Sequence, residues 1–137
     1  MSEQTIELKI ITHEKVVFDG KVNEFYADGV AGQFGILPGH TPFMSALKIG
    51  VLKTVFEGKE EFFSVIGGVL QFNDNKAVIL TEDAENGKDI DSVAAQNEKE
   101  KLEAREGNEQ TAKEIANADK ALATALARFK AAAAGKQ

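Results

Sequence analysis

Histidine is the side chain best suited to acid–base or metal chemistry at neutral pH, and this sequence has two, His13 and His40. The chain has no cysteine and the two histidines are far apart in sequence, so neither a zinc site nor a disulfide framework is predicted. A general base needs a partner within hydrogen-bond reach, and the segment around His40 contains no carboxylate. We therefore expect no catalytic residue, no metal and no cofactor, and we expect His40 to serve structure or contact.

The segment that contains His40, GQFGILPGHTPF from Gly32 to Phe43, holds both prolines of the chain. Pro38 and Gly39 suit the central positions of a type II turn, and Pro42 favours an extended Thr41. The shape of the segment is thus strongly specified while its polar side chains are few. A rigid segment with little chemistry predicts a docking surface.

Composition excludes several classes of protein. The net charge of −6 argues against binding nucleic acid, which calls for a basic surface. No apolar run approaches the roughly 20 residues that span a bilayer, so no direct membrane insertion is expected. The 137 residues suffice for one ordinary core or for a domain with a smaller appendage.

A shift in composition divides the chain into predicted domains at residues 1–87 and 88–137. Nine of the ten aromatic residues lie at or before Phe72, whereas fourteen alanines and no proline follow Lys88. The first part carries 7 basic and 13 acidic residues, and the second carries 9 of each, so the net charge belongs to the first part. The two parts are therefore expected to differ in architecture.

The first part is predicted to be a flattened β-sandwich or barrel. Residues 6–10 alternate apolar and charged side chains, the period of a half-buried strand. Turn signals at Asp19-Gly20, Glu57-Gly58 and 73–75 separate further short strands. Gly67-Gly68 within a strand pattern indicates a bulge or a close approach of another backbone.

The second part is predicted to be an antiparallel helical hairpin, which makes the fold class α+β with two segregated parts. Asp91 or Ser92 is the expected N-cap, and Gly107-Asn108 the expected stop of the first helix. That helix offers only Val93 and Leu102 as large apolar groups, so the hairpin should be marginally stable. An apolar stripe in the second helix comprises Ile115, Ala118, Leu122, Ala125, Leu126, Phe129 and Ala132.

The G-x-x-G-I-L-P-G-H-x-P run, with ALKIGVLK, GGVLQF and AVILTEDAENGKDID after it, resembles the ε subunits of bacterial and chloroplast F-type ATP synthases, the counterparts of mitochondrial δ. The resemblance covers nearly the whole chain. It implies a ten-stranded sandwich followed by a helical hairpin, in a non-catalytic rotor subunit that links γ to the c-ring of the proton-translocating enzyme. It also implies a peripheral position on the cytoplasmic face of the bacterial plasma membrane, or on the thylakoid stromal face.

The resemblance further implies roles for individual residues. Arg128 and Lys130 would meet the α/β catalytic subunits when the helices extend and inhibit ATP hydrolysis, although cations also complement a helix C-terminus without any such role. Glu85, Asp91 and Arg128 match parts of a nucleotide site, but Ala94 stands where the family motif has arginine, so we expect weak ATP binding. The residues that would contact the c-ring are Gln33, Gly35, Ile36, Leu37, Pro38, Gly39, His40 and Pro42.

Two other classes of function fit parts of the same pattern. A free-standing adaptor that binds peptides along a sheet edge would need the same β-sandwich. A small hydrolase or isomerase would need convergent acids and bases, and the sequence shows no such pair at motif spacing. Co-purified partners distinguish these alternatives: γ and the c-ring for a rotor subunit, others for an adaptor, none in particular for an enzyme.

Overall fold

Strands precede helices in the computed structural model, which describes residues 4–104 and 112–135. After the last strand come a 3₁₀ turn, Gly87–Asp89, and two helices, α1 (Ser92–Ala104) and α2 (Ala112–Gly135). This order confirms the predicted α+β class. Within the described residues the strands are β1 (Ile6–Ile11), β2 (Val16–Val22), β3 (Glu24–Gly29), β4 (Gly32–Ile36), β5 (Phe43–Phe56), β6 (Lys59–Asn73), β7 (Lys76–Leu80) and β8 (Ala84–Asn86).

The strands pair in the order β2-β1-β7-β6-β5-β3-β4, with β8 added to the first half of β6. All pairs are antiparallel except β1 with β7. The sheet folds over one core, and the ring of Phe18 on β2 meets that of Phe63 on β6 at 5.5 Å. The part of the chain described here thus forms the expected sandwich with eight strands rather than ten; β5 and β6 are continuous over 14 and 15 residues.

Two of the three predicted turns are confirmed. Glu57 and Gly58 have φ of 52° and 79°, and Asp74 and Asn75 have φ of 53° and 58°, as tight hairpins between twisted strands require. The third prediction was wrong, because β2 runs straight through Asp19-Gly20 while paired with β1. The chain instead leaves β2 at Asn23, whose carboxamide oxygen accepts a hydrogen bond from the Glu57 N–H at 2.7 Å.

Gly68 confirms the predicted close approach of a second backbone. Its φ is +127°, and a Cβ there would lie 2.1 Å from the carbonyl oxygen of Leu80. Only glycine adopts this conformation readily while leaving that space open. The β5–β6 pairing keeps one register on both sides of Gly67-Gly68, so this is a close contact rather than a bulge.

Helix α1 begins as predicted but buries a different residue. The Asp91 carboxylate accepts hydrogen bonds from the N–H groups of Val93 and Ala94 at 3.0 and 3.1 Å, so Asp91 is the N-cap. Val93, expected to be buried, is 65% exposed, and Ala95 is buried instead. The predicted stop at Gly107-Asn108 lies outside the described residues.

Helix α2 packs on α1 and on the sandwich mainly through alanine. Ala125, Ala127, Ala131 and Ala132 are buried, and the last two join Ile90 and Ala95 in a small cluster against Phe62. The backbone approaches closely here, since a Cβ on Gly87 would lie 2.1 Å from the carbonyl oxygen of Ala131. Across the described ranges, neither helix combines the length and apolar character needed to cross a bilayer.

Candidate contact sites

The turn from Leu37 to His40 has the geometry predicted from its sequence. Gly39 has φ of +83°, and the N–H of His40 donates to the carbonyl oxygen of Leu37 at 3.1 Å, as in a type II turn. The Gly39 N–H donates to the side chain of Asn75, at 2.7 Å, which ties the turn to the β6–β7 hairpin. The tip is therefore anchored while the side chain of Leu37 is 51% exposed.

His40 is held by aromatic rings rather than by acids or bases. Its ring meets Phe43 and Phe72 edge-on, with centroids 5.6 and 5.8 Å apart. Its Nδ1 lies 2.7 Å from the carbonyl oxygen of Thr41. Its contacts among the described residues are thus aromatic rings and a backbone carbonyl, and a structural or contact role for His40 stays a prediction.

The predicted contact segment does not form one continuous loop. Gln33 and Gly35 belong to strand β4, and Ile36 at its end is fully buried. Gly35 lies against Tyr26, whose ring is 2.6 Å from where a Cβ would be. Gln33 pairs with Asp28 near the start of β4, whereas the Pro38-Gly39 turn follows the other end of the strand. The structure therefore does not bring Gln33 and His40 together.

An exposed apolar row crosses five strands of the sheet, and sequence reasoning did not find it. Its members stand directly opposite one another in register, on the outer face. Ala46 pairs with Val69, and Val69 with Leu80. Leu80 pairs in turn with Ile11, and Ile11 with Val16. Val69, Leu80 and Val16 are 43%, 56% and 53% exposed. A contiguous exposed apolar surface of this kind is typical of a protein interface. We call these five residues the apolar row: Ala46, Val69, Leu80, Ile11 and Val16.

Two ion pairs join α2 to the sandwich. Arg128 binds Glu85 through Nε at 2.7 Å and Nη2 at 3.5 Å. Lys120 Nζ lies 3.0 Å from the carboxylate of Glu82. Because both pairs are partly exposed, each stabilises the docked helix by no more than about 1 kcal/mol.

The residues assigned to nucleotide binding are only partly together. Arg128 and Ala94 line one cleft of about 490 Å³ between α1 and α2. The arginine is engaged by Glu85, and the Asp91 carboxylate caps α1. With a methyl group at residue 94, Arg128 and Lys120 are the cations that this cleft offers to a phosphate. Lys130 lies elsewhere, on a second cleft between α2 and the sandwich.

Titratable groups give no sign of a metal or acid–base centre in the described part of the chain. No group of three His, Asp or Glu side chains there is placed to hold a metal ion. The pKa of Tyr26 is raised because its hydroxyl donates a hydrogen bond to the Glu24 carboxylate, with burial and the charge of Glu24 adding to the shift. A raised tyrosine pKa keeps the hydroxyl neutral at physiological pH and indicates no chemistry.

Comparisons with known proteins agree with this geometry. The ATP synthase delta/epsilon chain β-sandwich domain matches residues 5–87. An ATP synthase epsilon chain from Nitratidesulfovibrio vulgaris strain DP4 is 39% identical over 128 residues, covering 93% of this chain and 96% of the relative. Another, from Carboxydothermus hydrogenoformans, is 41% identical over 100 residues, covering 73% of this chain and 75% of the relative.

Solved structures share the fold at lower sequence identity. A chain in the Euglena gracilis mitochondrial ATP synthase, in a structure of OSCP, F1 and c-ring, superposes with a TM-score of 0.79 at 21% identity, covering 100% of this chain and 84% of that one. A chain of the Tetrahymena thermophila central stalk and c-ring gives a TM-score of 0.64, also at 21% identity, covering 96% and 98%. The family match over the sandwich and the relatives that align over both parts together place this chain in the ATP synthase delta/epsilon chain family.

Proposed function

We propose that the chain is a non-catalytic rotor subunit of a proton-translocating F-type ATP synthase that links γ to the c-ring. The observation that carries the proposal is its membership of the delta/epsilon family, with 93% of the chain aligned to an epsilon chain. Two solved structures that share this fold are of mitochondrial ATP synthases, one of OSCP, F1 and c-ring and the other of central stalk and c-ring, which supports the same assignment. The subunit would be peripheral, held by the complex at the cytoplasmic or stromal face of its membrane.

The apolar row is the surface we assign to γ. Five apolar side chains in register across five strands offer the kind of apolar patch that forms the centre of stable interfaces. The Leu37–His40 turn is the surface we assign to the c-ring, with Pro42 and the exposed Leu37 as its contacts. The Leu37–His40 turn is tied to the β6–β7 hairpin, which begins at the end of β6, Asn73. Val69 of the apolar row lies four residues before Asn73, or about 13 Å of strand, so γ and the c-ring can bind at the same time.

Regulation is the second part of the proposal. Helix α2 docks through four buried alanines, the partly buried Phe129 and two partly exposed ion pairs, an interface that a larger surface can outcompete. We infer that the helices extend toward α/β in an inhibited state, in which Arg128 exchanges Glu85 for acidic groups of those subunits and Lys130 joins it. The function is then inhibition of ATP hydrolysis by a mobile element.

Co-purification from native membranes tests the rotor assignment. The tagged full chain is expected to bring down γ and the c-ring. Val69→Asp should lose γ because it places a charge in the apolar row, whereas Val93→Asp, the same substitution at an exposed valine of α1, should retain it. Partners unrelated to ATP synthase would support the adaptor alternative, and retention of γ by a folded Val69→Asp variant would refute the assigned surface.

A fragment of residues 1–87 tests the domain boundary. We expect it to fold alone and bind γ, because the main hydrophobic core draws only on residues from Ile6 to Ala84. Circular dichroism measures its β content and thermal transition. An unfolded fragment would mean that the helices belong to the core.

Removal of residues 88–137 tests the regulatory part. The assembled enzyme should hydrolyse ATP faster without them while the complex remains intact. An engineered disulfide between α2 and the sandwich gives a reversible version of this test. It should also raise ATP hydrolysis because α2 cannot then leave the sandwich, and reduction should restore the original rate. Unchanged hydrolysis in both variants would make the helices a passive appendage.

A further inference from the structure

A cleft of about 700 Å³ lies between α2 and the sandwich, and neither the rotor assignment nor the inhibitory mechanism uses it; we call it the hairpin cleft. One wall is the sandwich, with Tyr26 and Asp28 from β3 and residues 48–51 from β5. The other wall is α2, from Ala123 to Ala134. This volume falls in the range of small-molecule sites, and the cleft exists only while α2 is docked.

Basic side chains outnumber acidic ones in the cleft although the whole chain carries a net charge of −6. Lys48, Lys53 and Lys130 line it, against one carboxylate, Asp28. Asp28 is already engaged, since it accepts the N–H of Val51 at 3.1 Å. Lys53 forms an ion pair with Glu60, with its Nζ 3.3 Å from the carboxylate.

Lys48 of the sandwich wall and Lys130 of the α2 wall are the cations available to a ligand. Within the ranges that the structure describes, neither lies within ion-pair distance of a carboxylate. Both side chains are exposed, so a ligand can reach them. Two cations on separate walls favour an anion that bridges the sandwich and α2.

The remaining lining is apolar and aromatic. Phe62, Val51 and Leu126 contribute hydrocarbon surface, and Gln33 adds an amide that can donate or accept a hydrogen bond. An inorganic anion would leave this surface uncovered. An apolar body of about the size of an aromatic ring would cover it.

We propose that the hairpin cleft binds a small amphipathic anion, a carboxylate or phosphate on an apolar body, and that binding holds α2 on the sandwich. The ligand contacts both walls, so it binds the docked state and shifts the equilibrium toward that state. This site is separate from the α1–α2 cleft that contains Arg128 and Ala94. It depends only on the docked hairpin and does not require that the chain work in ATP synthase.

Titration of the ¹⁵N-labelled full chain with phenyl phosphate tests the site. Saturable shifts are expected at the backbone of residues 48–51 and 123–134. Benzyl alcohol has an aromatic ring but no negative charge, and inorganic phosphate has the charge but no apolar body. Each should bind at least about tenfold more weakly than phenyl phosphate. Equal shifts with inorganic phosphate alone, or shifts centred on the apolar row, would overturn the proposal.

Charge variants identify the groups that hold the anion. Lys130→Gln and Lys48→Gln should each weaken phenyl phosphate binding about tenfold, because each removes one charge-assisted contact. Lys76→Gln, an exposed lysine on β7, is the matched control and should bind normally. Binding that is unchanged in both cleft variants would refute the assignment.

Hydrogen exchange tests the link to docking. Saturating phenyl phosphate should slow exchange of the α2 amides in the unmodified protein, in proportion to the ligand concentration above its dissociation constant. Lys130→Gln should lose most of this protection. Binding without any slowing of α2 exchange would overturn the inference that the ligand holds the hairpin.

Discussion

Replacing Gly87 with alanine should loosen α2 from the sandwich. The added Cβ would lie 2.1 Å from the carbonyl oxygen of Ala131 and 3.1 Å from that of Phe62, so backbone confines it on two sides. Carbon and oxygen in contact normally stay about 3.3 Å apart, and α2 must therefore move by about 1 Å. Overpacking of this kind costs about 1–3 kcal/mol. Four buried alanine methyl groups contribute about 3 kcal/mol to docking, so the cost is comparable with the alanine contribution, to which the partly buried Phe129 adds.

Hydrogen exchange followed by mass spectrometry measures this effect on the isolated full chain. A loss of about 1–3 kcal/mol raises the open population, and hence the exchange rate of α2 amides, by about 5- to 150-fold. Exchange in β1 and β7 should stay unchanged. Gly20→Ala is the matched control, because its nearest neighbour is the movable ring of Phe18 at 3.3 Å. Wild-type protection of α2 in Gly87→Ala would show that the close contact does not limit docking.

Three further perturbations probe the other sites. Glu85→Gln should also speed α2 exchange, by less than about fivefold, and added salt should narrow the difference from wild type, because the Arg128 pair is partly exposed. Ala94→Arg should strengthen ATP binding measured by calorimetry, and sub-millimolar affinity in the unmodified protein would mean that other groups replace the missing guanidinium. His40→Ala and Pro38→Ala should weaken coupling of hydrolysis to proton transport without lowering hydrolysis by the detached soluble sector; loss of that hydrolysis would contradict a contact role.

Local signals in the sequence specified the turns and the helix start well. At Glu57-Gly58 and at residues 73–75, residues tolerant of positive φ stand between alternating strands, and the structure has the turns there. Asp91 became the N-cap because its side chain satisfies two free N–H groups of the first turn. Asp19-Gly20 carries an equally good turn signal, yet pairing with Lys9 and Leu8 on β1 keeps it extended. The hydrogen bonds between two paired strands can override a local preference for a turn.

Features that depend on strand register could not be found in the sequence. The apolar row unites five positions on five strands, and no interval along the chain links Ile11 with Val69 or Leu80. The predicted docking face of α2 was likewise incomplete. Ala127 and Ala131 lie beside the predicted stripe, and both are buried by the sandwich. An alanine-rich helix is nearly uniform around its axis, so its sequence does not indicate which side meets a neighbour.

The placement of these surfaces lets attachment and regulation act independently. The apolar contacts of α2 around Phe62 lie seven residues along β6 from Val69 of the apolar row, or about 23 Å of extended strand. The Lys120–Glu82 pair is nearer, because Glu82 follows Leu80 of the row by two residues, but it is exposed and contributes no more than about 1 kcal/mol. Perturbations of the apolar contacts and of the row are therefore expected to add without coupling. A sandwich bound through the apolar row can therefore release and recapture α2 without weakening its own attachment. That separation is what a rotor subunit needs if its inhibitory helices are to move while torque still passes through its sandwich.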